Sequence, residues 1–238
     1  MRVPIFRVAR SPHARVQRGL SLVELMVGIT IGLFVVAAAS LVVTSQLTDN
    51  RRLLLELQVQ QDLRATADVI TRELRRAGGR QLPTNGVWSE IAAATANPFD
   101  TVTLAAGNTE VRFDYERGIG LQPLGFKLDA TRGVIQSYIG TGWQDLTDSS
   151  TMTVTAFTVT PRTAAVLERV IPCPKLCLAG NNLCWPKLKV RSYVVTIEAR
   201  ARTDDRIKRR LVNEVRLRND EFWFDSAEGL SALQPCPL

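Results

Sequence analysis

Arg18-Gly19-Leu20-Ser21-Leu22-Val23-Glu24-Leu25-Met26 joins a basic leader to a long apolar run. From Leu20 to Val43 the only charged residue is Glu24. An apolar run of about 20 residues is enough to cross the core of a bilayer as a helix. A charge inside such a run costs roughly 2.5–3.5 kcal/mol at mid-membrane. Glu24 therefore needs either a cationic partner or a position near the membrane interface. A partner would help strongly, because low dielectric strengthens the attraction between opposite charges.

On the N-terminal side of this stretch the leader carries Arg2, Arg7, Arg10, Arg15 and Arg18 and no acid. Basic residues beside a span stay in the cytoplasm. Residues 1–19 are thus expected inside and the chain beyond Val43 outside. A secretory signal would have a shorter apolar core followed by a small-residue cleavage site. Here the apolar run is longer and passes into a helical pattern, so the alternative is a plain N-terminal membrane anchor.

Within the run, Gly28-Ile29-Thr30-Ile31-Gly32 is a G-x-x-x-G. Small residues one turn apart let another helix approach closely in lipid, although glycine is also common in membrane helices. Beyond the run, Leu47, Leu53, Leu57, Ala67, Ile70, Leu74 and Ala77 recur at steps compatible with three and four among charged residues. That spacing predicts an amphipathic helix, stopped by Gly78-Gly79 with Pro83 just beyond. Arg72, Arg75 and Arg76 fall in its last turns, where cations suit the negative helix end. With no proline between Leu20 and Pro83, one helix is expected from Leu20 to Ala77, about 87 Å long at roughly 1.5 Å per residue.

Gly19-Leu20-Ser21-Leu22-Val23-Glu24 resembles the type III signal of prepilins, the precursors of type IV pilins and of type II secretion pseudopilins. The resemblance implies that a membrane prepilin peptidase cuts after Gly19 and methylates Leu20. Leu20 stands where the family usually has phenylalanine. Glu24 falls at the family's fifth mature position, and the resemblance gives it an assembly role, pairing with the N-terminal amine of a neighbouring subunit. Thr66–Gly79, with Arg72-Glu73-Leu74-Arg75-Arg76-Ala77-Gly78, and Leu217-Arg218-Asn219 resemble corresponding segments of PilW-type minor pilins and J-type pseudopilins. Major pilins often carry a proline in the long helix, which is absent here.

After the helix the residues from Leu82 to about Asn97 show no period and read as loop. The pattern then changes. Val111, Phe113 and Tyr115 alternate with charged neighbours, Thr151–Thr160 is rich in threonine and β-branched residues, and Tyr193, Val195, Ile197 and Ala199 alternate again. Leu211, Val215 and Leu217 follow on the same face of a further run. Such period-2 runs predict half-buried antiparallel strands. Thr203-Asp204-Asp205 reads as the turn between the last two, and Gly118, Gly120, Gly125, Gly133, Gly140 and Gly142 as punctuation between shorter strands.

Cys173, Cys177, Cys184 and Cys236 are the only cysteines. An outward-facing domain of a bacterium-like envelope lies in an oxidising compartment, so two disulfides are expected, with three possible connectivities. Cys177–Cys184 with Cys173–Cys236 is preferred, since the second bond would tie down the tail. A zinc site on the four sulfurs is the alternative. The first three lie in a proline-flanked loop, 172–187, that should be stapled or mobile.

Other chemistry is sparse. The only histidine is His13, in the leader, which removes a Ser-His-Asp arrangement from the mature chain. No Walker or H-E-x-x-H motif occurs, and the acidic pairs lack EF-hand spacing. The reading therefore calls for no enzyme, cofactor or metal. The net charge of +7 owes five of its seven units to the leader arginines. Arg200, Arg202, Arg206, Lys208, Arg209, Arg210, Arg216 and Arg218 would crowd the last hairpin. They could grip phosphates without reading sequence, but a solvated strand face balanced by Glu198, Asp204, Asp205 and Glu214 is the preferred reading. Phe222-Trp223-Phe224 in the tail reads as a cap on the core.

The expected fold is α+β and pilin-like, a long N-terminal transmembrane and amphipathic helix packed on an antiparallel β-sheet domain. The expected divisions are a cleaved cytoplasmic leader (1–19), a transmembrane helix (20–44), its amphipathic continuation (45–79) and a periplasmic head (80–238). The expected function is that of a minor pilin that helps initiate or cap a type IV pilus. Its partners would be other minor and major pilins, the prepilin peptidase, the inner-membrane assembly platform and membrane lipid. It would sit in the inner membrane with a single pass before joining a surface pilus. A J-type pseudopilin at the tip of a type II secretion pseudopilus is the nearest alternative. Alternatives of other classes are a DNA-binding pilus subunit and an anchored periplasmic enzyme.

Overall fold

The computed structural model describes residues 19, 21–82, 97–118, 123–162, 168–173, 177, 182 and 184–223. The chain divides into two compact units, Met1–Arg52 and Leu53–Leu238. One helix, α1 (Leu22–Leu74), enters both. It ends a turn earlier than the glycine pair suggests, because the backbone tightens before the stop. Arg76 N–H donates to Glu73 and Ala77 N–H to Leu74, three residues back rather than four. Gly78 then takes the left-handed conformation, φ 75°, which only glycine adopts freely.

Among its described residues the second unit has eleven strands. β1 (Val102–Leu104), β2 (Glu110–Phe113), β3 (Leu124–Asp129), β4 (Val134–Ile139) and β5 (Gly142–Asp145) form an antiparallel meander in sequence order. β6 (Met152–Pro161), β9 (Ser192–Ala201) and β10 (Lys208–Arg216) form a second sheet in the order β10-β9-β6. β7 (Glu168–Val170), β8 (Lys187–Lys189) and β11 (Glu221–Trp223) form a small third sheet in the order β11-β8-β7. Every pairing is antiparallel. The architecture is α+β.

Alternation places the core. Tyr193, Val195, Ile197, Ala199 and Ala201 of β9 point inward, their neighbours outward. In β6 the alternation breaks. Met152 and Val154 are buried, then Phe157 and Val159, because the register against β9 shifts between Val154 and Ala156. Thr155 is the extra residue of a β-bulge, which reverses the side-chain parity beyond it. From the helix come Val59, Leu63, Ala67, Ile70, Leu74 and Ala77, which join Val111, Phe113, Phe126, Ile135, Phe157 and Ile197 in one cluster. Burying each large side chain contributes about 1.5–3 kcal/mol.

Several expectations change here. Leu47, Leu53 and Leu57 are exposed; the first fully buried residue of the helix is Val59. Gly125 lies inside β3, paired with Arg112 and Tyr138, rather than between strands. A Cβ there would meet the Val111 carbonyl oxygen at 2.7 Å and Arg112 Cγ at 3.1 Å. Its bare backbone is the passage by which the Arg112 guanidinium reaches the ring of Tyr138, 4.8 Å away. Gly133 (φ 64°) and Gly140 (φ 67°) do punctuate, in the turns on either side of β4. The loop expected between Leu82 and Asn97 falls mostly outside the described residues, as do Gly120 and Phe224. Phe222 and Trp223 belong to β11, and their side chains lie outside the described ones.

Candidate functional site

The candidate site is the N-terminal part of α1. Gly19 is exposed; the leader and Leu20 lie outside the described residues. The Leu25 N–H bonds to the Ser21 carbonyl at 3.0 Å, the first turn of the helix. Glu24 stands in that turn, where the free N–H groups of the helix favour a negative charge.

Every residue from Leu22 to Leu54 is exposed. Leu22 keeps 73%, Phe34 72% and Leu41 74% of its surface open. An exposed apolar face of this size marks an interaction surface or a membrane contact. The helix is long and apolar enough to cross a membrane, with a mean hydropathy of 2.5 in its most apolar window. Its polar groups suit that environment. Hydroxyls of Thr30, Ser40, Thr44 and Thr48 donate to carbonyls four residues back, at 2.6, 2.8, 2.8 and 3.0 Å. Lipid offers no hydrogen-bond partner, so such internal satisfaction is required there. A Cβ on Gly28 or Gly32 would meet nothing within 4 Å, so the face that carries them is open.

The other end of α1 is locked into the head. The last carbonyls of a helix have no partner within it, and here distant segments supply them. The Arg75 carbonyl accepts from the Arg218 N–H at 2.9 Å. The Asn219 side-chain amide donates to the Arg76 and Ala77 carbonyls at 3.2 and 3.3 Å. The Asn97 amide donates to the Gly78 carbonyl at 2.7 Å, and the Glu116 N–H to Gly79 at 2.8 Å. The Glu73 carboxylate accepts from the Tyr115 hydroxyl at 3.0 Å. Tyr115 first, and Glu73 second, hold the Arg76 guanidinium above its ordinary pKa. The two segments that resemble minor pilins, 72–78 and 217–219, thus meet in space. Sequence reading had found both, but had no means of joining them.

Cys177 and Cys184 are bonded to each other, with Cα atoms 5.5 Å apart, which closes the loop between β7 and β8. Cys173 is also disulfide-bonded; Cys236 lies outside the described residues. Sulfurs so used are not zinc ligands. On the last hairpin, Arg200 pairs with Asp205 at 2.9 Å, Arg209 with Glu56 at 2.7 Å, Arg210 with Glu198 at 3.3 Å and Arg216 with Asp220 at 3.0 Å. Half of the basic set is therefore ion-paired within the chain.

Two family models match the sequence of this chain. Residues 14–40 match the prokaryotic N-terminal methylation motif, covering the end of the expected leader and much of the exposed apolar helix. Residues 52–217 match prepilin peptidase-dependent protein B, covering the head from the helix to the segment that closes its end. The chain belongs to the prepilin peptidase-dependent protein B family. It is a type IV prepilin-like protein of the minor-pilin kind. No curated protein and no solved structure matches the chain significantly. For a prepilin peptidase-dependent protein, an exposed apolar helix with one acid in its first turn and an anchored far end is a sensible division of labour. One end of the helix is exposed and the other is built into the fold.

Proposed function

We propose that this prepilin peptidase-dependent protein is a minor pilin that helps to initiate or cap a type IV pilus. Residues 1–19 form a cytoplasmic leader removed after Gly19, and Leu20 becomes the methylated N-terminus. Residues 20–44 span the inner membrane, 45–79 continue the helix, and 80–238 form a periplasmic head. The exposed apolar face of α1 carries this reading. It is suited to lipid before assembly and to other pilin helices after it. Gly28 and Gly32 lie where a neighbouring helix could approach closely. Glu24 offers its carboxylate to the N-terminal amine of the adjacent subunit, a pairing that gains strength at low dielectric.

The test begins with mass spectrometry of the mature N-terminus in cells with an active prepilin peptidase; residues 1–19 still attached would refute processing. Glu24→Ala is expected to leave the chain in the membrane and to lower surface piliation at least fivefold, counted by electron microscopy. Unchanged piliation would remove the assembly role of Glu24. Deletion of the protein is expected to abolish or shorten pili. Intact pili with blocked protein secretion would transfer it to a type II secretion pseudopilus.

A further inference from the structure

The β1–β5 meander has one face in the core and one in solvent. Val111, Phe113, Phe126 and Ile135 face inward and join the hydrophobic cluster with the helix. The other face points away from that cluster, and the strand register sets two rows on it. Arg112, Gly125, Tyr138 and Trp143 stand opposite one another across β2 to β5, and Glu110, Lys127, Gln136 and Asp145 do so in the next row. Such rows lie about 7 Å apart. The first row is an aromatic platform, with the Tyr138 and Trp143 rings edge to face and 5.2 Å between centroids. Trp143 serves no core, because it lies on the edge strand β5, none of whose four residues is buried.

Two cations rest on the Trp143 ring, Arg112 at 5.2 Å and Lys127 at 4.3 Å. Glu110 pairs with Arg112, but Lys127 has no acid partner among the described residues. The Tyr138 hydroxyl and the Trp143 indole N–H likewise have no acceptor among them. In the second row the Gln136 amide donates to Asp145 at 2.9 Å, and Arg132 pairs with both Asp145 and Asp129. The face thus offers an aromatic platform, spare donors and one spare positive charge beside carboxylates already engaged. A sugar ring has a C–H face that packs on the electron-rich face of an aromatic ring, and a rim of oxygens that accept such donors. Lys127 calls for one acid group. A closely spaced run of phosphates fits poorly, because Glu110, Asp129 and Asp145 balance the three cations and would repel it. We propose that this face binds a polysaccharide in which neutral and carboxylate-bearing sugars alternate. A neutral ring stacks against Trp143, and the carboxylate of its neighbour meets Lys127. The inference does not rest on the minor-pilin reading.

The test titrates the full chain in detergent with hyaluronan tetrasaccharide, a probe that has this alternation. Calorimetry is expected to show saturable binding, and tryptophan emission to shift with the same midpoint. Trp143→Leu is expected to abolish the shift and weaken binding at least tenfold. Lys127→Gln is expected to weaken it at least fivefold, while Lys127→Arg keeps at least half of the affinity. Lys127→Gln removes a partly exposed charge, so the result does not depend on Trp143→Leu folding. Chitotetraose, whose rings are all neutral, is expected to bind at least fivefold more weakly than the probe. No binding, equal binding of chitotetraose, tighter binding of a short thymidine oligonucleotide, or an affinity insensitive to Lys127 and Trp143 overturns the proposal. Any of those results leaves the minor-pilin reading to its own tests of processing and piliation.

Discussion

Asn219 sits far from the helix in sequence, yet it bonds to two of the last helix carbonyls. Arg191 reinforces the same corner, with its guanidinium bonded to the carbonyls of Asp100 and Asn219 and lying against Gly78. Each such bond contributes about 0.5–1.5 kcal/mol net, and leaving a buried carbonyl unpaired costs more. Asn219→Ala is expected to destabilise the head by roughly 1–3 kcal/mol, read as a fall in the thermal midpoint of the detergent-solubilised protein. Asn219→Asp should be worse, since it sets a carboxylate against carbonyl oxygens. A midpoint unchanged by either substitution would mean that backbone bonds such as Arg218 N–H to Arg75 suffice. Gly78 was legible as a stop because its conformation is a local matter. The role of Asn219 was not, because a polar residue at a strand end has no period and its partner lies on another element.

The elements were legible where alternation ran long enough. β9 and β10 emerged from their period-2 runs, and the turn between them from Thr203-Asp204-Asp205; Arg206 N–H bonds to the Asp204 carboxylate at 3.0 Å. β7, β8 and β11 have three residues each, too few for a period to appear. The bulge at Thr155 was hidden because threonine suits either face of a strand. Gly125 is the clearest misreading, since glycine usually breaks strands and here lets a neighbour's side chain cross one. Arg112 passes over it to lie 5.2 Å from the Trp143 ring, with Lys127 on the same ring at 4.3 Å, while Glu110 holds Arg112 Nε at 2.6 Å. Gly125→Val should force the Val111 backbone outward and eject Arg112, a loss of about 1–3 kcal/mol typical of overpacking. Gly142→Ala, where a Cβ meets nothing within 4 Å, should stay within about 0.5 kcal/mol. Equal midpoints for the two variants in chemical denaturation would refute the crossing as the reason for the glycine.

At the scale of the whole molecule, one short motif pointed to the membrane helix and to the family, because charge, glycine, acid and apolar length occur together within a few turns. The pocket formed by Gln58, Asp62 and Thr66 of α1 with Leu146, Thr147, Asp148 and Thr151 of the β5–β6 connection was invisible in the sequence, since its two sides stand about 80 positions apart. The head also has pH limits that only its folded contacts set. Bonds from Gln136, then Arg132, hold the Asp145 carboxyl below its ordinary value, and Ser150 does so for Asp148. A carboxyl lowered by folding stabilises the native state above its unfolded pKa of about 3.9 and loses that contribution as pH falls. Burial raises the Tyr193 hydroxyl, so its contribution is present below about pH 10 and is lost as pH rises further. Thermal midpoints are therefore expected to be flat between about pH 5 and 9 and to fall on both sides. Asp148→Asn should make the acid limb shallower without touching the alkaline one, and Tyr193→Phe should do the reverse. If Tyr193→Phe left the alkaline limb unchanged, ionisation of this tyrosine would not be what limits the head at high pH. The loss would then have to come from deprotonation elsewhere in the head.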